Sequence, residues 1–351
     1  MRTSDLHISS FTPLIAPADL KARVPVSAGS LQTVTGARTV IEAILKKRDT
    51  RMLAIVGPCS IHDRAAALDY AERLSRVRHE VEDAVFVVMR VYFEKPRTRL
   101  GWRGLILDPD MDGSYDIQTG LSRARSIMSE ITAMGLPVGS EMLDPIVPQY
   151  IDDLVSWASI GARTTESQTH REMASGLSMP VGYKNGTDGS IETAVNALSS
   201  SLSPHSFIGI DQGGRTCVVS TTGNPAGHAI LRGGRNGPNY HEEDVEEACE
   251  RMVAAGIEPA VVIDCSHGNS RKDHTRQHKV LRSVVRQRLE GRREIAGFML
   301  ESNINPGFQE ISTDPAHLQY GVSITDACIG WEETAELLRW VRQQLKTGMQ
   351  L

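Results

Sequence analysis

The chain has 351 residues, of which 40% are hydrophobic and 23% are charged, and its formal net charge is −5 at pH 7. This length suits one large α/β barrel or two ordinary domains, and the negative charge argues against nucleic acid or an anionic membrane as the main partner. The sequence has neither a signal-peptide core nor a run of about eighteen apolar residues that predicts a membrane span, so we expect a cytoplasmic protein.

Residues 1–48 show no strong strand pattern. Three prolines precede a predicted helix from Val34 to Lys47. We expect this segment to be an N-terminal arm outside the main domain that contacts another subunit. A partly disordered terminus is the alternative.

From residue 49 to residue 351 the sequence repeats a short apolar run, a polar residue at its end, and a stretch with helical spacing. The apolar runs of the eight units are residues 52–56, 85–89, 137–139, 156–160, 179–183, 228–231, 260–263 and 295–300. A closing helix is predicted over Trp331 to Leu345. Strands that alternate with helices in this way predict a single α/β domain, a parallel (β/α)8 TIM barrel.

One stretch interrupts the repeat before the sixth barrel strand. Residues 206–210 and 216–220 have strand character and are joined by the polar turn 211–215. This pattern predicts a β-hairpin inserted at residues 206–220. We interpret it as an accessory or regulatory element of the catalytic barrel.

Cations stand at the ends of several predicted strands, where a barrel builds its active site. They are Arg90, Lys95, Arg163, Lys184 and Arg232. Each cation alone would suit a solvated or ion-paired surface position. Their repetition at one rim instead predicts a clamp for an anion that carries both phosphate and carboxylate, because guanidinium groups bind such oxygens in pairs.

A second group of strand-end residues has donor atoms for a metal. Its members are Cys59, His267, Glu301 and Asp326. The five cysteines never form a CxxC pair, so a metal-binding cysteine needs partners from distant segments. Sulfur, imidazole and carboxylate ligands together predict a site for a divalent transition metal. Buried filler at Cys59 and a counter-ion at Glu301 are the structural alternatives.

Six motifs carry a resemblance to a known family. They are GPCSIHD (57–63), YFEKPRTRLGWRGL (92–105), IGARTTESQTHREMASGLSMPVGYKNGTDG (160–189), ILRGG (230–234), IDCSHGNS (263–270) and SITDACIGWEET (323–334). Together they resemble the 3-deoxy-D-arabino-heptulosonate 7-phosphate (DAHP) synthases of the type I alpha class, from about residue 35 onward. The resemblance implies a metal-dependent transferase that condenses phosphoenolpyruvate with D-erythrose 4-phosphate and water, the first step of the shikimate pathway.

The same resemblance implies individual roles. The metal ligands would be Cys59, His267, Glu301 and Asp326, for one Mn²⁺, Co²⁺, Fe²⁺ or Zn²⁺ ion per subunit. The phosphoenolpyruvate site would be Arg90, Lys95, Glu141, Arg163, Lys184 and Arg232. Arg97 and Thr98 match the contact to the phosphate of erythrose 4-phosphate. The catalytic group would be Lys95, His62, Cys59 and Asp326, and either Lys95 or a metal-associated group would move the protons.

Feedback control by an aromatic amino acid is also implied. The positions that match an effector site are Gln149, Ser178, Phe207 and Gly209. The resemblance also implies a homodimer or homotetramer. Gly209 leaves more room than a serine, which favours tyrosine over phenylalanine. The hairpin tip at 211–215 departs from the family pattern, so loss of regulation is the alternative.

Two other functions stay open at this point. One is a related 3-deoxy-ulosonate phosphate synthase that uses another aldose phosphate, such as arabinose 5-phosphate. The other is a non-catalytic barrel subunit that senses an amino acid. The KPRT and GARTTESQ runs favour the four-carbon aldose, and none of the expected metal ligands or clamp residues is missing from the sequence.

Overall fold

The computed structural model describes residues 2–97, 100–312 and 317–348. Its strands are β1 Met52–Gly57, β2 Val85–Arg90, β3 Val138–Glu141, β4 Trp157–Ile160, β5 Val181–Lys184, β6 Ser206–Ile210, β7 Thr216–Ser220, β8 Gly227–Leu231, β9 Val261–Asp264 and β10 Ile295–Glu301. Its helices are α1 Pro17–Arg23, α2 Ala28–Leu45, α3 Arg64–Val81, α4 Ile117–Ala133, α5 Pro148–Ile151, α6 Gln168–Ser175, α7 Glu192–Ser201, α8 Glu242–Ala254, α9 Gln277–Leu289 and α10 Trp331–Gly348. Short 3-10 helices cover Asp152–Leu154 and His274–Arg276.

Over these residues, eight parallel strands close a barrel in the order β1-β10-β9-β8-β5-β4-β3-β2. Their apolar runs are buried because helices cover the barrel outside and side chains fill its inside. The TIM-barrel prediction is therefore confirmed. The carboxyl ends of all eight strands meet at one rim, and Arg90, Glu141, Lys184 and Glu301 are the last residues of their strands.

Helix α2 packs against the opposite end of the barrel. Ile41 and Ile44 belong to the same buried cluster as Leu53 and Ala296, which lie near the starts of their strands. The helix begins six residues before the predicted Val34, because Ser27 caps it and accepts a hydrogen bond from the Ser30 backbone nitrogen at 3.0 Å. The proposed boundary of the arm at residue 48 stays a prediction.

Strands β6 and β7 form an antiparallel hairpin outside the barrel, and β5 pairs directly with β8. The inserted hairpin is thus present where it is predicted. At its tip, the Gln212 side chain donates to Gln149 Oε1 at 2.9 Å, and the Gln212 carbonyl accepts from the Ala18 backbone nitrogen at 2.9 Å. The tip therefore bridges α1 and α5. None of the described helices is both long and apolar enough to cross a membrane.

Candidate active site

Three of the four predicted metal ligands converge at the rim. Cys59 follows β1, Glu301 ends β10, and Asp326 lies in the connection to α10. One donor atom from each lies within 4.8 Å of the others, and Cys59 Sγ is 3.6 Å from Asp326 Oδ2. Burial raises the pKa of the Cys59 thiol to about 12, with Glu301 adding to the effect. Sulfur and carboxylate donors at this spacing fit a divalent transition metal.

The fourth predicted ligand, His267, stands beside this group. Its Nε2 atom is 3.7 Å from Glu301 Oε1. Its Nδ1 atom is 2.9 Å from Asp264 Oδ2, and Ser266 Oγ lies 2.7 Å from the same nitrogen. A histidine held through Nδ1 presents Nε2 as the metal-binding atom, which is the usual arrangement of carboxylate-supported ligands. His267 has φ 52°, an uncommon conformation for a residue other than glycine.

The predicted clamp cations differ in their exposure. Arg90, Lys95 and Lys184 are buried, Arg232 is half-buried, and Arg163 is exposed. The Arg90 guanidinium donates to Glu301 Oε1 at 3.0 Å and lies 4.0 Å from the centre of the Tyr92 ring. Burial opposes its charge, yet Tyr92 and Glu301 keep the pKa of Arg90 above its ordinary value. The cation is thus held charged inside the protein, and its Nη1 atom has no partner among the described residues.

The two buried lysines also have close partners. Lys95 Nζ donates to Cys59 Sγ at 3.1 Å, and Lys184 Nζ donates to Asp264 Oδ2 at 2.9 Å. Burial opposes the charge of Lys95, but Cys59 and Glu301 outweigh it and raise the pKa of Lys95. The metal-ligand group and the cation group are therefore in direct contact rather than two separate sites.

A network of asparagines holds the loop that carries Arg232. Asn185 Oδ1 accepts from the Arg232 backbone nitrogen at 2.8 Å, and Asn239 Oδ1 accepts from the Gly233 nitrogen at 2.6 Å. Asn269 accepts from the Asn239 nitrogen at 2.8 Å. A Cβ on Gly233 would meet the Asn269 nitrogen at 2.5 Å, so the ILRGG motif needs glycine for this close approach.

Glu141 packs beneath the loop that carries Arg163. The side chain is buried, and a Cβ on Gly161 would lie 2.2 Å from Glu141 Oε1. Glycine at 161 therefore lets the carboxyl group of Glu141, at the end of β3, approach the end of β4.

His62 lies in the same β1–α3 connection as Cys59, and burial lowers the pKa of its imidazole, which favours the neutral form.

A pocket of about 960 Å³ opens beside the clamp. Most of its wall comes from the connections that follow β2 and β3, with Arg163 after β4 and Ile311 after β10, and the cations that line it are Lys95, Arg97, Arg103 and Arg163. The volume is in the range of small-molecule sites. Arg97 is exposed and its Nε atom donates to the Trp102 carbonyl at 2.8 Å, while Thr98 lies outside the described residues. The pocket therefore lies next to three of the predicted substrate-binding cations.

The predicted effector positions are distributed around the hairpin. Phe207 and Gly209 lie on β6, Gln149 lies in α5 against the hairpin tip, and Ser178 is exposed after α6. The role of these four residues stays a prediction.

Sequence reasoning missed Asp264, Glu94 and the three asparagines. Asp264 is the last residue of β9, so its strand-end position could have identified it. Glu94 precedes Lys95 in the KPRT region, and no residue pattern distinguishes it from an ordinary acidic loop residue. The asparagines act through contacts between loops that are distant in sequence.

The sequence model of the DAHP synthetase I family matches residues 24–339. The chain is 52% identical over 342 residues to the Tyr-sensitive phospho-2-dehydro-3-deoxyheptonate aldolase of Escherichia coli strain K12, covering 97% of this chain and 96% of that protein. It is 49% identical to the Trp-sensitive enzyme of the same name from Enterobacter agglomerans, covering 96% of each. Among solved structures, phospho-2-dehydro-3-deoxyheptonate aldolase from Francisella tularensis SCHU S4 matches with a TM-score of 0.94 and 44% identity, covering 97% of this chain and 99% of that one.

Proposed function

The chain belongs to the DAHP synthetase I family, and we propose that it condenses phosphoenolpyruvate with D-erythrose 4-phosphate and water to give DAHP and phosphate. The observation that carries this proposal is the contact between the cation clamp and the metal-ligand group at one barrel rim, through Arg90 and Glu301 at 3.0 Å. The enzyme is a 3-deoxy-7-phosphoheptulonate synthase, and the reaction opens the shikimate pathway.

The clamp would hold phosphoenolpyruvate through its phosphate and carboxylate groups. Arg163 is exposed and Arg232 is half-buried, whereas Arg90 and Lys184 would supply charge from buried positions. Such preorganised cations need no rearrangement when the substrate arrives. With Arg97 holding the aldose phosphate, the aldehyde carbon would approach C3 of the enol at about 3–3.5 Å, the distance of a near-attack geometry.

Cys59, His267, Glu301 and Asp326 would bind the metal, which can be Mn²⁺, Co²⁺, Fe²⁺ or Zn²⁺. A bound divalent ion supplies Lewis-acid polarisation of the aldehyde oxygen. Lys95, whose raised pKa keeps it an ammonium, would stabilise negative charge on that oxygen as the carbon–carbon bond forms. Bond formation leaves cationic character at C2, where water adds, and the proton that the water loses neutralises the alkoxide. The C2–O bond to the phosphate then breaks, so the phosphate leaves with its bridging oxygen, takes the proton of the C2 hydroxyl, and leaves a ketone at C2.

Feedback inhibition by an aromatic amino acid is part of the proposed function. Relatives of this chain are named for sensitivity to tyrosine or to tryptophan. We prefer tyrosine as the effector because Gly209 adds no side chain to the hairpin surface. We also propose that the protein is a homodimer or homotetramer, as the family resemblance implies. We propose a cytoplasmic location because both substrates are multiply charged anions that do not cross a membrane unaided.

The assay that tests the reaction follows phosphate release from phosphoenolpyruvate by purified protein with Mn²⁺. Release is expected only when erythrose 4-phosphate is added, and a chelator should abolish it. Release with arabinose 5-phosphate instead would identify a different synthase of the same chemistry. No release with either aldose, combined with tyrosine binding, would identify a non-catalytic sensor.

A further inference from the structure

Glu94 is a buried acid in the wall of the second pocket. Its side chain is 2% exposed, and it lines the same 960 Å³ space as Lys95, Arg97 and Arg163. Lys95, the next residue, extends to the Cys59 sulfur at 3.1 Å, whereas the Glu94 side chain reaches the connection after β3. The two neighbouring side chains thus reach different parts of the rim, and Glu94 links the pocket wall to the connection after β3.

Only one oxygen of this carboxyl group is occupied within the described part of the chain. Glu94 Oε1 accepts from the Asp144 backbone nitrogen at 3.3 Å. Glu94 Oε2 is buried and has no hydrogen-bond partner there. Leaving a buried polar atom without a partner is unfavourable, and native proteins keep few such atoms without a functional reason. A hydrogen-bonding group on a ligand in the pocket would satisfy this oxygen.

The charge state of Glu94 suits a neutral ligand group. Burial, reinforced by the charge of Asp144, raises the pKa of Glu94 to about 8. Near neutral pH the carboxyl group is therefore largely protonated. It can then donate a hydrogen bond as well as accept one, and it does not repel an anionic substrate.

We propose that Glu94 is a specificity-determining residue that hydrogen-bonds a hydroxyl group, at C2 or C3, of the aldose phosphate. The inference rests on the proposed function, because it takes erythrose 4-phosphate as the occupant of the pocket. Phosphoenolpyruvate has no hydroxyl group and is assigned to the clamp. Glu94 thus distinguishes a hydroxylated aldose phosphate from its deoxy analogue.

The test compares kcat/KM for erythrose 4-phosphate with the values for its 2-deoxy and 3-deoxy analogues. In Glu94→Met, which keeps the side-chain volume, we expect a fall of about 10- to 100-fold with erythrose 4-phosphate. The fall should shrink to within about threefold for the analogue that lacks the contacted hydroxyl. The KM for phosphoenolpyruvate should stay within about twofold of wild type.

Glu250→Met, the same substitution at an exposed glutamate of α8 outside the pocket lining, serves as the matched control. It should leave the ratio between erythrose 4-phosphate and the deoxy analogues unchanged. Equal losses with all three aldoses in Glu94→Met would overturn the inference and reduce Glu94 to a support for the Asp144 backbone. If Glu94→Met does not fold, Glu94→Asp gives the decision, because its carboxyl group is one methylene shorter: a reduced hydroxyl preference is expected, and an unchanged one contradicts the contact. Wild-type inactivity with erythrose 4-phosphate would instead reject the proposed reaction itself.

Discussion

Lys184 Nζ lies 2.9 Å from Asp264 Oδ2, and His267 Nδ1 lies 2.9 Å from the same oxygen. One carboxylate oxygen therefore joins a predicted substrate cation to a predicted metal ligand. Burial opposes the charge of Asp264, but Lys184 and His267 outweigh it and hold the pKa of Asp264 well below its usual range. Metal binding and phosphoenolpyruvate binding are thus expected to depend on a common residue.

Asp264→Asn should weaken both binding events. The amide cannot match the charge of the carboxylate, so His267 loses its orientation and Lys184 loses its counter-ion. We expect the metal Kd to rise about 10- to 100-fold, measured by titration with Mn²⁺ or Co²⁺, together with a higher KM for phosphoenolpyruvate. Asp273→Asn, at an exposed aspartate in the following connection, is the control. An unchanged metal Kd would contradict the positioning role.

Cys59→Ala should leave a folded barrel that retains little metal. The side chain is small and the substitution removes one of the clustered donor atoms. Metal content after dialysis should fall to near background, and phosphate release should fall with it. Cys249→Ala, in α8 away from the rim, should behave as wild type. Full metal content in Cys59→Ala would remove this residue from the site.

Arg163→Ala and Lys184→Ala should differ in stability but not in their effect on turnover. Either truncation should reduce kcat/KM by about 10² or more, because each removes a preorganised charge from the clamp. Arg163 is exposed, so its loss should hardly change the free energy of unfolding. Lys184→Ala removes the lysine partner of the buried Asp264 carboxylate, which keeps its contact with His267, and should cost about 3–5 kcal/mol. Urea unfolding of the two variants checks this contrast, and equal stabilities would refute it.

Glu94→Gln should gain stability relative to wild type as the pH rises from 5 to 8. The folded-state pKa of Glu94 is about 8, against an ordinary value of 4.5, and Asp144 and Glu141 are the acidic groups that face it. Between these two pKa values the unfolded chain releases the proton while the folded protein retains it, so the wild type loses stability over this window. Glutamine has no proton to release. Parallel stability profiles of the two proteins from pH 5 to pH 8 would show that Glu94 titrates normally.

Tyrosine should inhibit phosphate release more strongly than phenylalanine or tryptophan. Gly209→Ser should weaken this inhibition without changing turnover in the absence of effector, because the added Cβ would lie 2.9 Å from Val219 Cγ2 and displace it. Ser206→Ala, at the exposed start of the same strand, is the control. Inhibition titrations of the three proteins make the comparison. Equal tyrosine sensitivity in Gly209→Ser would argue against an effector site at this strand.

The fold was predictable because its signals are local. Each barrel strand is a short apolar run, and each helix repeats apolar residues at a spacing of three or four. Errors lie at element ends, as at α2, where the cap at Ser27 extends the helix beyond the apolar pattern. The candidate clamp and metal residues were predictable for a related reason, since residues at strand ends meet at one rim in any parallel barrel.

The order of the residues alone predicts a barrel whose rim carries five cations and four candidate metal ligands. Tertiary structure decides which of them touch. Lys184 and Asp264 are 80 positions apart, and Cys59 and Asp326 are 267 apart, so their contacts depend on barrel closure and on the stagger of its strands. Burial likewise appears only in the folded chain, and it is burial beside Asp144 that turns Glu94 from an ordinary acid into a neutral hydrogen-bonding group.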